Sequence, residues 1–296
     1  MSFLTIAETP TERLQALVDV GLAVKAAPNE YRTALDGRSV GLFFQKQSLR
    51  TWVSCDIATA ELGAHPIVIS NDQTGLGSRE APADVGRVLG RYLDALGMRV
   101  FDHANLTEID DSTQIPLVNL LSDLEHPCQA VADMMTVAEH MPLSEATITY
   151  VGDGNNVCHS LMLAAVKLGS SIRVVAPSGY EPDAEVTQMA RSIGEVTVTS
   201  DLAEGVAGTN VIYTDVWTSM GQEAEAKLRR RQFVDYQITP DLLEYADEDA
   251  IFMHCLPAHR GEEVSDEMME HPRSMVFDQA ENRLHSFKAV LLDELG

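Results

Sequence analysis

Short runs rich in valine, isoleucine and aromatic residues alternate with amphipathic stretches along the chain, the pattern of parallel sheets covered by helices. Two sets separate. In the first half, strands are predicted at 39–44, 66–70, 98–101 and 116–120, and helices at 51–62, at 83–96 and in the polar stretch after His103. The second set has predicted strands at 147–151, 172–176, 196–199, 211–214 and 250–254. Its predicted helices are 160–168, 183–193, 202–207 and 242–245. Between the sets, Val131, Met134, Met135 and Ala138 recur at i, i+3, i+4 and i+7, which predicts a helix over 126–140 with one apolar face. A last stripe, Leu284, Phe287, Leu291 and Leu292, predicts a terminal helix that packs back on the first set. The expected architecture is α/β, with two domains that each hold a parallel sheet flanked by helices. The expected boundaries are 1–140, completed by 279–296, and 141–278.

Composition narrows the classes of function. The 296 residues, 45% of them hydrophobic, suffice for one large or two ordinary cores. No apolar run approaches the roughly 20 residues that cross a bilayer, and the start lacks a basic region followed by a long apolar stretch. A cytoplasmic location is therefore expected. Cys55, Cys128, Cys158 and Cys255 show no zinc-type spacing and read as reduced thiols. A net charge of −24 argues against nucleic acid or anionic membrane as partner, since both require Lys and Arg to neutralise phosphates. Any bound phosphate needs a local basic pocket.

Several segments carry candidate chemistry. Ser48-Leu49-Arg50-Thr51 follows a predicted strand and opens a helix, where main-chain N–H groups and a forked guanidinium favour an anion. The same residues would also serve as an ordinary helix cap and a solvent arginine. Arg99 is a second cation at a strand end. His126 and Gln129 share one face of a first helical turn and can hold a carbonyl or an amide. Gly152-Asp153-Gly154-Asn155-Asn156 sits where a dinucleotide loop would, but lacks the third glycine and the acid about 20 residues on. Its asparagines instead offer amides to a carboxylate and an amine. Asp215 stands at the end of a strand before Trp217, Ser219 and Met220, placed for an ammonium group or as a helix cap. The run from Ile251 to Val264 delivers His254, Cys255 and Arg260 to a strand's carboxyl edge, where open α/β sheets bind ligands. Neither a zinc site nor a Cys/His nucleophile has suitable spacing there.

Together these motifs resemble the aspartate/ornithine carbamoyltransferase family, in its ornithine branch. The resemblance spans nearly the whole chain: SLRT (48–51), HPCQ (126–129), GDGNN (152–156), DVWTSMGQE (215–223), HCLPAHRGEEV (254–264) and AENR (280–283) stand in the family order. It implies transfer of the carbamoyl group of carbamoyl phosphate to the side-chain amine of L-ornithine within arginine metabolism. It also implies a homotrimer with active sites at domain and subunit boundaries, and no cofactor or metal. By motif position, Ser48, Leu49, Arg50, Thr51, Arg99, His126, Gln129, Cys255, Leu256 and Arg283 would contact carbamoyl phosphate. Asn156, Asp215, Ser219 and Met220 would hold ornithine, and Arg50, His126, Asp215 and Cys255 would carry the chemistry, Cys255 as a thiolate orienting the amine.

The phosphate side departs from the family pattern. Leu49 and Trp52 replace a threonine and an arginine of the usual STRTR, Gly75 stands where glutamine or histidine is usual, and Ala81 where serine or threonine is common. Each change removes a polar group, and a charge-assisted hydrogen bond is worth roughly 1.5–3 kcal/mol. Two other readings stay open: a carbamoyltransferase for another diamino acid or amine in specialised metabolism, and a catalytically weak ligand-binding paralogue.

Overall fold

The computed structural model describes residues 2–219 and 223–296. The chain divides into two compact units, residues 1–135 with 282–296, and residues 136–281.

The first unit holds a four-stranded parallel sheet of β1 (Ser39–Phe44), β2 (His65–Ser70), β3 (Ala95–Arg99) and β4 (Leu117–Leu121), in the order β2-β1-β3-β4. β1 and β3 are buried almost throughout, as strands covered on both faces must be, whereas edge strand β2 is largely exposed. Helices α1 (Thr11–Ala26), α2 (Leu49–Glu61), α3 (Asn71–Thr74), α4 (Pro82–Leu89) and α5 (His103–Ser112) follow in chain order. The order in which strands are added reverses between β1 and β3, so their carboxyl ends form a topological switch point, the usual ligand position in such sheets.

The division falls within α6 (Pro127–His140) and again within α12 (Val276–Leu295). The second unit holds β5 (Thr147–Val151), β6 (Ser171–Val175), β7 (Val196–Thr199), β8 (Val211–Thr214) and β9 (Ile251–His254), all parallel, in the order β7-β6-β5-β8-β9. Its helices are α7 (Asn156–Lys167), α8 (Ala184–Ile193), α9 (Leu202–Val206), α10 (Ala226–Phe233) and α11 (Asp266–Met269). The switch point here lies between β5 and β8.

Several elements differ from the sequence reading, which also did not anticipate α3, α10 and α11. The helix expected over 83–96 stops at Leu89, and Ala95 already belongs to β3. Asp94 accounts for the break, since its carboxylate accepts the main-chain N–H of Ser39 at 2.8 Å and ties the segment to the start of β1. α1 was not anticipated, although Leu14, Leu17, Val18, Gly21 and Val24 form its buried stripe. The segment expected at 242–245 is a 3-10 turn, Pro240–Glu244. No helix among the described residues is long and apolar enough to cross a membrane.

Candidate active site

Each switch point carries a cluster of polar side chains. In the first unit, β1 feeds Ser48, which caps α2 by accepting the Thr51 N–H at 3.4 Å. Main-chain N–H groups at the first turn of a helix make such an end attractive to an anion. Thr51 is fully buried, and its hydroxyl accepts from two guanidiniums: Arg283 of α12 at 2.8 Å and Arg99, the last residue of β3, at 3.4 Å. Both arginines are buried. The resulting positive field shows in the neighbouring groups. His126 is held well below the usual histidine range by burial and by Arg283 and Arg99, so its imidazole is neutral near pH 7. Burial pushes the Cys55 thiol up to about 12, against the opposing pull of Arg283.

His126 immediately precedes α6 and Gln129 lies in its first turn; both are buried. The Gln129 amide donates through Nε2 to Asp133 Oδ1 at 2.8 Å. Its Oε1 is buried and has no hydrogen-bond partner among the described residues.

Of the departures noted in the sequence, Leu49 is 72% exposed, so its contribution to an anion is the main-chain N–H rather than a side chain. Trp52 is 49% exposed. Ala81 is the N-cap of α4 and supplies no side-chain acceptor. Gly75 has φ +63°, a conformation that favours glycine, and a Cβ there would lie 2.8 Å from Arg79 Cβ. Its carbonyl accepts the N–H groups of Ser78 and Arg79 at 3.0 and 2.8 Å, so this glycine closes a turn.

In the second unit the ends of β5, β8 and β9 bring Asn155, Asp215 and Cys255 together. The Cys255 thiol donates to Asp215 Oδ1 at 3.0 Å, and Asn155 Nδ2 donates to Asp215 Oδ2 at 2.9 Å. In this arrangement the sulfur is the donor and the Asp215 carboxylate the acceptor. Asn155 also caps α7, accepting the N–H groups of Val157 and Cys158. The amide that holds Asp215 is that of Asn155, one of the two asparagines singled out in this loop; Asn156, expected to hold ornithine, is partly buried at the first position of α7. Gly154 permits a close approach of main chains, since a Cβ there would lie 2.2 Å from the nitrogen of Pro182.

Leu256 adopts φ +57°, an uncommon conformation for a branched residue, and precedes a cis bond to Pro257. Its N–H donates to His254 Nδ1 at 2.9 Å, which places the imidazole proton on Nε2, 3.2 Å from Glu263 Oε1. Arg260 forms exposed ion pairs with Asp266 and Glu270. Ser219 is partly buried, and Met220 lies outside the described residues.

Buried Arg229 on α10 secures the approach to Ser219. It pairs with Asp153 at 3.0 Å, donates to the Trp217 carbonyl at 3.0 Å and lies 4.9 Å from the centre of the Tyr180 ring. The spacing of charged residues in α10 gave no sign of this role.

Among the described residues, Asp215, His254 and Cys255 could each offer a metal one ligand atom within 4.8 Å of the others, as could His259, Glu262 and Glu263. In the first group both imidazole nitrogens are engaged by protein groups and the thiol by Asp215. In the second, Glu262 pairs with Arg230.

A family profile for the aspartate/ornithine carbamoyltransferase carbamoyl-P binding domain matches residues 1–139, and one for the Asp/Orn binding domain of that family matches 144–293. The chain is similar to ornithine carbamoyltransferase of Pyrococcus horikoshii, 47% identical over 268 residues that make up 88% of this chain and 84% of that protein. It is 45% identical to ornithine carbamoyltransferase of Parafrankia over 99% of this chain and 96% of the relative. Among solved structures, ornithine carbamoyltransferase from Pyrococcus furiosus superposes with a TM-score of 0.94 at 43% identity, over 98% of this chain and 95% of that one.

Proposed function

The chain belongs to the aspartate/ornithine carbamoyltransferase family, and from that premise we infer that it transfers the carbamoyl group of carbamoyl phosphate to the side-chain amine of L-ornithine, giving L-citrulline and phosphate. The observation that carries this reading is the convergence of Arg99 and Arg283 on the Thr51 hydroxyl beside the capped start of α2. It supplies the local basic pocket that a protein of charge −24 needs to hold a phosphate.

In this reading residues 1–140 with 279–296 bind carbamoyl phosphate and residues 141–278 bind the amino acid. Ser48, Arg50, Thr51, Arg99 and Arg283, with the N–H groups opening α2, take the phosphate. Neutral His126 donates to the carbonyl oxygen, and Gln129 Oε1 accepts from the carbamoyl amino group. Asp215, held by Asn155 and Cys255, receives the ornithine amine, while Asn156, Ser219 and Met220 hold the amino-acid end.

Carbamoyl phosphate is already activated, so positioning and oxyanion stabilisation suffice. The side-chain amine has an unperturbed pKa of about 10.4 and must lose a proton before attack. Its nitrogen then bonds to the carbonyl carbon, Arg50, Thr51 and His126 stabilise the oxyanion, and the carbon–oxygen bond to phosphate breaks. The departing phosphate accepts the second amine proton. Cys255 and the Leu256 main chain border the reacting carbon and position the amine.

The exposed apolar stripe of α2, Leu49, Trp52, Val53 and Ile57, lies in the same unit as half-exposed Ile67 and Val68 of edge strand β2. Faces of this kind mark association surfaces, and they support assembly as a homotrimer. Sedimentation equilibrium checks the mass.

The deciding experiment offers carbamoyl phosphate with ornithine, acetylornithine, putrescine, lysine or a shorter diamino acid, and scores the ureido product. Citrulline as the best product supports the reading. A different preferred amine, or binding of both ligands without product, would replace it with one of the two alternatives that the changes at Leu49, Trp52 and Gly75 keep open.

A further inference from the structure

Gln129 presents a buried amide whose two ends differ. Nε2 donates to Asp133 Oδ1 at 2.8 Å, while Oε1 is buried without a partner among the described residues. Asp133 is one turn further along α6 and fully buried. The NH2 edge of the amide faces this carboxylate, which accepts its hydrogen bond. The remaining edge is then an acceptor.

We propose that Asp133 is a positioning residue that locks the Gln129 amide with Oε1 outward, so that the donor site selects an acyl phosphate carrying an amino group over one carrying a methyl group. The proposal rests on the reading above in which Gln129 meets the carbamoyl amino group. With the flip locked, a carbamoyl NH2 gains an acceptor already in place. A methyl in its position leaves a buried carbonyl oxygen unpaired, and this is the kind of mismatch by which enzymes reject near-isosteres. Without Asp133, either edge of Gln129 can face the ligand, and half of the selectivity mechanism is lost.

Two stable probes isolate the effect: phosphonoacetamide, which carries the amide, and acetonylphosphonate, in which a methyl ketone replaces it. The ratio of their dissociation constants, measured by calorimetry, is the readout, because damage to the fold or to the phosphate site weakens both alike. In the wild-type protein the amide should bind more tightly, and Asp133→Ala should shrink the ratio about tenfold, the equivalent of one hydrogen bond.

A near-isosteric pair keeps the test decisive should Asp133→Ala fail to fold. Gln129→Glu alone sets two carboxylates against each other and should weaken phosphonoacetamide binding. Gln129→Glu with Asp133→Asn exchanges donor and acceptor, again leaves an oxygen facing the ligand, and should restore much of the lost affinity. The inference is overturned by an unchanged probe ratio in folded Asp133→Ala, or by a double variant that binds phosphonoacetamide no better than Gln129→Glu. Failure of the parent reading looks different, since wild-type protein would then form no citrulline whatever the probe ratios.

Discussion

The Cys255 thiol donates to Asp215 Oδ1 at 3.0 Å, at the ends of β9 and β8. Asp215 thus has one oxygen engaged by sulfur and the other by Asn155, and the proposed reaction starts from this arrangement. Cys255→Ala removes the donor and frees the carboxylate to rotate. Turnover should fall by about ten- to a hundredfold, the scale of one hydrogen bond to a charged group, and the pH profile should shift because Asp215 loses a hydrogen-bond donor. Cys255→Ser keeps a hydroxyl donor and should retain more activity. Unchanged turnover and an unchanged pH profile in Cys255→Ala would remove the positioning role.

Thr51 joins the two guanidiniums on which the proposed phosphate site rests. Replacing it by valine preserves shape but deletes the acceptor shared by Arg99 and Arg283. An unsatisfied buried polar partner costs about 1–3 kcal/mol, so Thr51→Val should lower thermal stability measurably. It should raise the KM for carbamoyl phosphate about tenfold and leave the ornithine KM near its wild-type value. Equal rises in both would show that Thr51 acts through the fold as a whole.

Much of the fold was legible because β1, β5 and β8, largely buried, read as mainly apolar runs at the predicted residues, and edge strand β7, little buried, is marked by its Val-Thr alternation. β3 was misplaced because Leu93 and Leu96 extend the helical apolar spacing, whereas the Asp94 hydrogen bond to Ser39 decides the matter and is a long-range contact. The candidate site was legible as motifs but not as partnerships. Whether Asn155 or Asn156 turns toward Asp215 depends on which one caps α7, and adjacent identical residues carry no such information. The Arg229–Asp153 pair joins residues 76 apart in sequence, and no local pattern announces it.

His126 supplies a pH prediction. Its folded pKa is depressed, first by burial and then by Arg283 and Arg99, whereas in the unfolded chain it titrates near 6.5. The unfolded chain therefore binds the proton more readily. The stability associated with neutral His126 is present above about pH 6.5 and is lost as pH falls toward the folded pKa. Imidazole NMR should show His126 neutral through the ordinary histidine range. A His126 titration near pH 6.5 in the folded protein would contradict the buried, positively flanked environment.

Arg229 should couple stability to amino-acid binding. Arg229→Met leaves Asp153 buried without its cation, and breaking a buried pair costs about 3–5 kcal/mol. Burial already raises the Asp153 pKa, and removing the arginine raises it further, so the loss should grow as pH rises above the carboxylate range. Adding Asp153→Asn should recover part of the stability. The ornithine KM should stay elevated in both variants, because the Trp217 carbonyl two residues before Ser219 still lacks its donor. Chemical denaturation and steady-state kinetics separate the two effects.

The variant phosphate loop makes opposite predictions for its substitutions. Leu49 opens α2 with a side chain exposed within its own chain, so Leu49→Thr adds a hydroxyl beside the anion position without opening a cavity in the core of the unit. Trp52→Arg likewise adds a cation on an exposed turn. Each should lower the KM for carbamoyl phosphate severalfold, consistent with one additional exposed polar contact. Gly75→Gln restores the usual residue type but not its function. At φ +63° the new Cβ would meet Arg79 Cβ at 2.8 Å, and the turn closed on the Gly75 carbonyl would have to open. A side chain forced into this conformation costs about 1–2 kcal/mol, so Gly75→Gln should melt earlier and leave the KM unimproved. A Gly75→Gln protein with normal stability and tighter carbamoyl phosphate binding would show that position 75 is a lost ligand rather than a turn built for glycine.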